Sequence, residues 1–295
     1  MKSVTALASA QPGIDGRALL NLGCGSQGAH PAFVNLDINA GPGILQHDVR
    51  DGLPFPDASF DLVYHSTMLS MLRPVEAHRL TEECRRVLKP GGVLRVVTED
   101  LEQICRVYLQ TLEAACQGDE QSGRDRDWMV LELYDQATRE RSGGEMVEYL
   151  GQSTIPNEAF VRSRIGEQGR IIIAGARDRA RARTLTRRPG MTPRTMLSTV
   201  RAAARRQVLT RLCGPHAVQA FEIGTFRLTS GQVSYRMYDR YSLGQLLRRA
   251  GLSNVSLRTA RDSACPFWND VNLDLDATGA PARPHALTME AVRNQ

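Results

Sequence analysis

Gly23-Cys24-Gly25 and Asp37 are the residues whose types and spacing best suit chemistry with a bound cofactor. The glycines follow the apolar run Leu19-Leu20-Asn21-Leu22, and Asp37 closes Val34-Asn35-Leu36-Asp37 twelve residues after Gly25. Glycine lets the main chain approach a ligand with no side chain in the way, and an acid ending the next strand can accept both hydroxyls of a ribose. Such a pair would hold a nucleoside-bearing cofactor. Gln46-His47-Asp48 and Phe60-Asp61-Leu62-Val63-Tyr64-His65-Ser66 repeat the pattern of a strand with a polar tip. Asp48 suits the amino group of a base. Asn21, Cys24, Ile38, Val49, His65 and Ser66 complete the expected cofactor wall, with simple packing as the alternative for Cys24.

Groups able to act on a second substrate lie further along. His65, expected just past the fourth strand at a sheet tip, is the best candidate base, against the alternative of a hydrogen-bonded buried histidine. Tyr238 and Arg240 offer a phenol and a cation to a pocket, Tyr238 with a possible catalytic role; aromatic packing is the rival reading. Asp135, Gln136 and Arg139 can bind a polar substrate or form a capped, salt-bridged helix. Glu99 and Asp100 can grip an ammonium or cap the helix that starts near Leu101.

The elements that must position these groups alternate in type. Strands are expected over 18–22, 33–37, 44–46, 62–64, 93–97, 255–257 and 287–291. Helices are expected over 74–88, which opens on proline and stops at Pro90-Gly91-Gly92, and over 101–116 and 241–250, the last ending at Gly251. This order predicts an α/β fold, Rossmann-like and doubly wound around a mainly parallel seven-stranded sheet, with ligands at the strand tips. Residues 26–32 leave room for one helical turn at most. The alternation stops over 118–233, which reads as a largely helical, substrate-covering insertion with helical stretches at 127–139 and 194–212 and a β-like run at 170–174. The cofactor domain is then 1–117 plus 234–295.

Composition narrows the classes. The chain has 295 residues, 37 basic against 32 acidic, 42% hydrophobic and only 5% aromatic. Residues 1–16 lack a secretory pattern, and no apolar run reaches the roughly 18 residues of a membrane span, so a cytoplasmic protein is expected. Six cysteines without a Cys-x-x-Cys pair and six scattered histidines suggest reduced thiols and no metal site. Fourteen arginines lie between Arg162 and Arg211. Without interleaved aromatics for base stacking, they fit a solvated helical face or an acidic small ligand better than nucleic acid.

Taken in order, these motifs resemble the class I S-adenosylmethionine-dependent methyltransferases, more narrowly the type 11-like bacterial subgroup found near polysaccharide and natural-product gene clusters. Leu20-Asn21-Leu22-Gly23-Cys24-Gly25 resembles the family's glycine motif, Val34-Asn35-Leu36-Asp37 the ribose-acid strand, and His47-Asp48-Val49-Arg50 with Leu53-Pro54-Phe55 the adenine-side loop. Residues 60–66 resemble the fourth strand and 83–92 the helix and turn before the fifth. Leu133-Tyr134-Asp135-Gln136, Arg139 and Ser142-Gly143-Gly144 are similar to a motif of the insertion, and 237–243 to the entry of the late helix. After Ser66 the family continues with His and a Glu-His pair where this chain has Thr67, Ser70 and Met71; its proline-aspartate after strand five reads Glu99-Asp100 here. The resemblance implies S-adenosylmethionine as cofactor, S-adenosylhomocysteine as product, no metal, and a small polar or sugar-like acceptor methylated in line at O or N, with S also open. A homodimer is compatible with it. Two other classes stay open: a nicotinamide oxidoreductase, since Gly28 completes Gly-x-Gly-x-x-Gly, and a cofactor-binding scaffold that has lost turnover with the Glu-His pair.

Overall fold

Short Leu- and Val-rich runs separated by glycine, proline and polar turns assemble here into one sheet. The structure, a computed structural model, describes residues 13–25, 29–185 and 204–294. Its strands are β1 (Leu19–Leu22), β2 (Val34–Asp37), β3 (Ile44–Gln46), β4 (Phe60–Ser66), β5 (Leu88–Glu99), β6 (Leu252–Arg258) and β7 (Ala286–Arg293), in the spatial order β3-β2-β1-β4-β5-β7-β6. The first five are parallel, and β7 runs antiparallel to β5 and β6. The fold is α/β and Rossmann-like. Strand four extends beyond the expected 62–64, so His65 and Ser66 lie inside β4 rather than past its tip. Parallel pairing with Val96 and Val97 of β5 carries the ladder that far. β5 begins early because Leu88 pairs with Phe60, and Lys89 to Gly92 bulge out before pairing resumes at Leu62–Val93. A side chain on Gly92 would lie 2.9 Å from the Lys89 carbonyl, so the bulge requires glycine there.

Period-two alternation divides the sheet's side chains between two cores. Leu20, Leu22, Val63, Leu94 and Val96 face one, Leu19, Leu62, Tyr64, Val93 and Val97 the other. On the first face, α1 (Pro74–Val87) starts with proline, whose missing N–H costs a helix nothing at its first position, and buries Ala77, Leu80, Cys84 and Val87. The helix Arg240–Arg249 is capped by Asp239, whose carboxylate accepts from Ser242 N at 2.7 Å, and buries Leu243 and Leu247. On the second face the irregular segment 259–285 supplies Phe267, Trp268 and Val271.

Under that segment Arg95 is wholly buried. Its guanidinium pairs with Asp274 and Glu290, each at 2.7 Å, lies 4.2 Å from the Trp268 ring centre, and donates to the carbonyls of Thr259 and Asp262. Tyr64 donates to the same Asp274 at 2.7 Å. A buried charge is tolerable only when so completely paired.

The chain forms two compact units, 1–110 with 234–295 and 111–233. The helix α2 (Leu101–Cys116) carries the chain from the first into the second. The second contains α3 (Glu120–Thr138), α4 (Gly144–Leu150), α5 (Glu158–Leu185, interrupted at Gly166), a helical stretch at 204–213 and α6 (Pro215–Thr229); the late helix 240–249 of the first unit is then α7. The run 170–174, expected as β, is helical. Alternation would place Ile171 and Ile173 on one face, but Ile171 is 56% exposed while Ile173 is buried. The expected helix 194–212 lies outside the described residues up to 203 and is helical beyond.

Candidate functional site

Strand order alone selects a crevice. β1 leads to β2 on one side while β4 leads to β5 on the other, so the chain's direction of winding reverses between β1 and β4, where open α/β sheets leave room for a ligand. Leu22 pairs with His65, which aligns the ends of the two strands. The turn leaving β1 is held to β2 by Gly23 N donating to Leu36 O at 2.8 Å. Gly23 and Gly25 have φ of +64° and +62°, a region costly for other L-residues. A side chain on Gly23 would lie 2.7 Å from Met68 Sδ, whereas at Gly25 nothing stands within 4 Å, so the main chain borders open space. Gly28 lies outside the described residues.

Asp37 ends β2 with its carboxylate already aimed. Oδ2 accepts from Gly25 N at 2.9 Å and Oδ1 from Asn39 N at 2.8 Å. Oδ1 also accepts from Asn39 Nδ2 at 3.2 Å, so Oδ2 retains a free lone pair for a ribose hydroxyl while a second hydroxyl would have to displace the longer Asn39 amide contact. Burial, with the Asp37 charge beside it, pushes the Cys24 thiol up to about 11, so this cysteine is no thiolate nucleophile at neutral pH. Asn21 is buried and donates to Asn35 Oδ1, which also accepts from His30 N. Asn21 thus braces the loop before β2. Ile38, 47% exposed beyond Asp37, offers a flat apolar surface.

At the end of β4, His65 is 1% exposed and burial lowers its pKa to about 4, so the ring is neutral. Its Nδ1 has no hydrogen-bond partner. The Ser66 hydroxyl makes no hydrogen bond of ordinary geometry either, though it lies near enough to the Tyr64 phenol to perturb it. Thr67 follows at φ +54°, exceptional for a β-branched residue, with its N–H held by Val97 O at 2.8 Å. Backbone strain of this kind costs about 1–3 kcal/mol and collects at functional sites. Thr67 and Met68 are site residues the sequence reading missed. The replacement of the family's His and Glu-His by other residues was the signal that pointed there.

The other expected residues are placed as follows. Asp48 caps the turn 49–51 and is gripped by Arg50 at 2.6 Å, which holds its pKa below the usual carboxylate range. Val49 packs against the first core and borders a cleft of about 340 Å³ walled by Arg50, Glu76, Arg79, Glu82 and Glu83. Tyr238 is buried in that core, bridged to Asp100 beyond β5, and its carbonyl accepts from Leu101 N at 2.9 Å. Asp100 is half-buried, which raises its pKa, and accepts from Gln103 N as a cap of α2. Arg240 is turned toward Glu102 at 3.0 Å. Asp135, Gln136 and Arg139 belong to the second unit. There Asp135 pairs with Arg139 at 2.7 Å and accepts from Glu145 N at 2.5 Å, at the start of α4. Gln136 is half-buried. Among the described residues no three His, Cys, Asp or Glu side chains cluster as metal ligands, and no helix is long and apolar enough to cross a membrane.

These tips fit an adenosyl sulfonium cofactor: open space beside Gly25 among the described residues, an aimed carboxylate at Asp37, and one buried polar atom, His65 Nδ1, without a partner. Ser66, next along β4, turns to the opposite face beside Tyr64. Residues 31–96 match the family model described as a methyltransferase domain. No curated protein matches the chain. Among solved structures, the PH0226 protein of Pyrococcus horikoshii is 26% identical over 31% of this chain and 53% of its own, with a TM-score of 0.27. This chain thus spans about half the length of that protein. The 1,6-didemethyltoxoflavin-N1-methyltransferase of Burkholderia thailandensis, bound to its substrate and S-adenosylhomocysteine, is 11% identical over 99% of this chain and 76% of its own, with a TM-score of 0.37. An S-adenosylmethionine-dependent methyltransferase of Mesorhizobium loti is 17% identical over 98% and 96%, with a TM-score of 0.36.

Proposed function

We propose that the chain is a class I S-adenosylmethionine-dependent methyltransferase that acts on a small polar or sugar-like acceptor at oxygen or nitrogen, a reading supported by the methyltransferase-domain match over residues 31–96. The observation that carries this reading is the convergence, at the β1/β4 reversal, of the Gly23–Gly25 turn, the Asp37 carboxylate and the unpartnered His65 Nδ1. When bound, S-adenosylmethionine supplies an electrophilic methyl on a positively charged sulfur.

Every other requirement falls to the protein, and positioning is the main one, because displacement demands acceptor and methyl in line at near-attack distance. Gly23 and Gly25 present main chain, Asp37 would hold the ribose and Ile38 would cover the adenine, with Asp48 and Val49 at its edge. His65 Nδ1 would satisfy its hydrogen bond on the amino-acid end. A neutral imidazole with a pKa near 4 is a weak base, so His65 would act first as a hydrogen-bonding group. Asp100, half-buried and next to Tyr238 beyond β5, is a second group that would receive a proton from an acceptor.

Calorimetric titration tests the cofactor: S-adenosylhomocysteine should bind and NAD(H) should not, and the reverse result would transfer the site to a nicotinamide enzyme. Asp37→Ala should weaken S-adenosylhomocysteine by about 1.5–3 kcal/mol, because a ribose hydroxyl pair loses its charged acceptor. An unchanged Kd would remove Asp37 from the site. A panel of hydroxyl and amine acceptors read by a one-methylene mass gain then separates turnover from a binding-only scaffold.

A further inference from the structure

Among the described residues of the second unit, two helices expose large apolar side chains, in a stretch of sequence rich in arginine. α6 runs from Pro215 to Thr229 with Val218, Phe221, Ile223, Phe226 and Leu228 among its residues, yet Val218 is its one buried position. Phe221 and Leu228 are 60% and 56% exposed. On the helical stretch 204–213, Val208 and Leu212, one turn apart, are 56% and 77% exposed. A helix normally buries its apolar stripe against its own protein, so four large exposed side chains on two successive helices require another explanation.

The charges beside them indicate what covers this surface. Arg206 pairs with Glu222 of α6 at 2.9 Å, which ties the two helices together. Arg205 and Arg211 are exposed and make no ion pair among the described residues. In the sequence from 162 to 233 there are fifteen arginines and three acids, Glu167, Asp178 and Glu222. A partner for this surface must combine negative charge with an apolar interior. Nucleic acid supplies the first alone, and a stacking surface for bases would need aromatics between the arginines. A bilayer containing anionic lipid supplies both: the headgroups neutralise arginine while Leu and Phe enter the acyl boundary.

We propose that the helices 204–213 and 215–229 form a peripheral docking surface for an anionic membrane, with Val208, Leu212, Phe221 and Leu228 inserting and Arg205 and Arg211 meeting headgroups. No helix among the described residues can span a bilayer, so attachment would be interfacial and reversible.

Flotation of the full chain tests this with vesicles of phosphatidylcholine alone and vesicles in which about a third of the lipid is phosphatidylglycerol, at about 0.1 M salt. The anionic vesicles should carry at least about tenfold more protein, and about 0.5 M salt should release most of it. The paired change Leu212→Asp and Phe221→Asp, and separately Arg205→Glu with Arg211→Glu, should reduce flotation to the neutral-vesicle level while far-ultraviolet circular dichroism stays unchanged. Equal flotation with both vesicles, or none, overturns the proposal without needing any variant. Tighter binding of duplex RNA than of anionic vesicles at the same salt also overturns it, as does self-association that persists in place of flotation. None of these readouts depends on methyl transfer, so their failure leaves the reading of the cofactor site intact.

Discussion

The two compact units distribute charge differently along the chain, although each encloses ion pairs: Arg95 with Asp274 and Glu290 in the first, Arg164–Glu132 at 2.6 Å and Arg139–Asp135 at 2.7 Å in the second. In residues 1–110 and 234–295, eighteen basic residues match eighteen acidic ones, so the chain's formal charge of +5 belongs entirely to 111–233. The sheet unit internalises an arginine: Arg95 is enclosed by two carboxylates, two carbonyls and an indole. The helical unit separates its charges along the chain, with eleven acids and four arginines over 111–161 and the reverse bias beyond. Charge paired inside a fold specifies a structure, while charge left on a surface is available to something outside it.

Removing single charges sharpens this contrast, starting with the largest effect. Arg95→Met would leave Asp274 buried without its ion-pair partner and Glu290 with Arg258 alone at 3.1 Å, and urea unfolding should show a loss of about 3–5 kcal/mol. A loss under about 1 kcal/mol would mean that the network is wet and the contrast false. His65 adds a pH dependence to the sheet unit. Burial moves its pKa from 6.5 to about 4, so between those values the unfolded chain binds a proton that the folded protein refuses. Stability should therefore fall as pH drops through that window, by on the order of 3 kcal/mol, and this loss should level off below it. Asp48 and Glu83 are held low by Arg50 and Arg86, so their contributions, present above the ordinary carboxylate values, disappear only at lower pH. His65→Gln should flatten the slope between pH 6.5 and 4.5, and an unaltered slope would assign it to other groups. Smallest of all, Arg206→Ala on the exposed helix should cost about 0.5 kcal/mol or less, since the Arg206–Glu222 pair sits in water. A cost above about 2 kcal/mol would show that this pair is held out of water, like the enclosed Arg164–Glu132 pair of the same unit.

The sheet was legible for a local reason. Residues 19–22, 34–37 and 93–97 are apolar runs too short for helices and bounded by turn residues, and only strand pairing buries both of their faces. The same logic misread 170–174, where three isoleucines resemble a strand but a helix buries one and exposes another. The glycine turn and Asp37 could be proposed from spacing. The strain at Thr67, the contact of Met68 with Gly23 and the engagement of Asp48 by Arg50 could not, because each depends on how separate segments meet.

From its residues alone, the place of each of this protein's seven strands along the chain could be read, though not its full extent, together with a glycine turn where main chain is free to approach a ligand, because those depend on periodicity and on what glycine permits. Tertiary structure decided that His65 is sealed within a strand and neutral rather than poised at a tip. It also decided that Arg95 meets two acids 179 and 195 residues away and that Phe221 and Leu228 of α6 are exposed while Val218 is buried. Burial and long-range pairing belong to the whole fold, and no window of sequence contains the partners that set them.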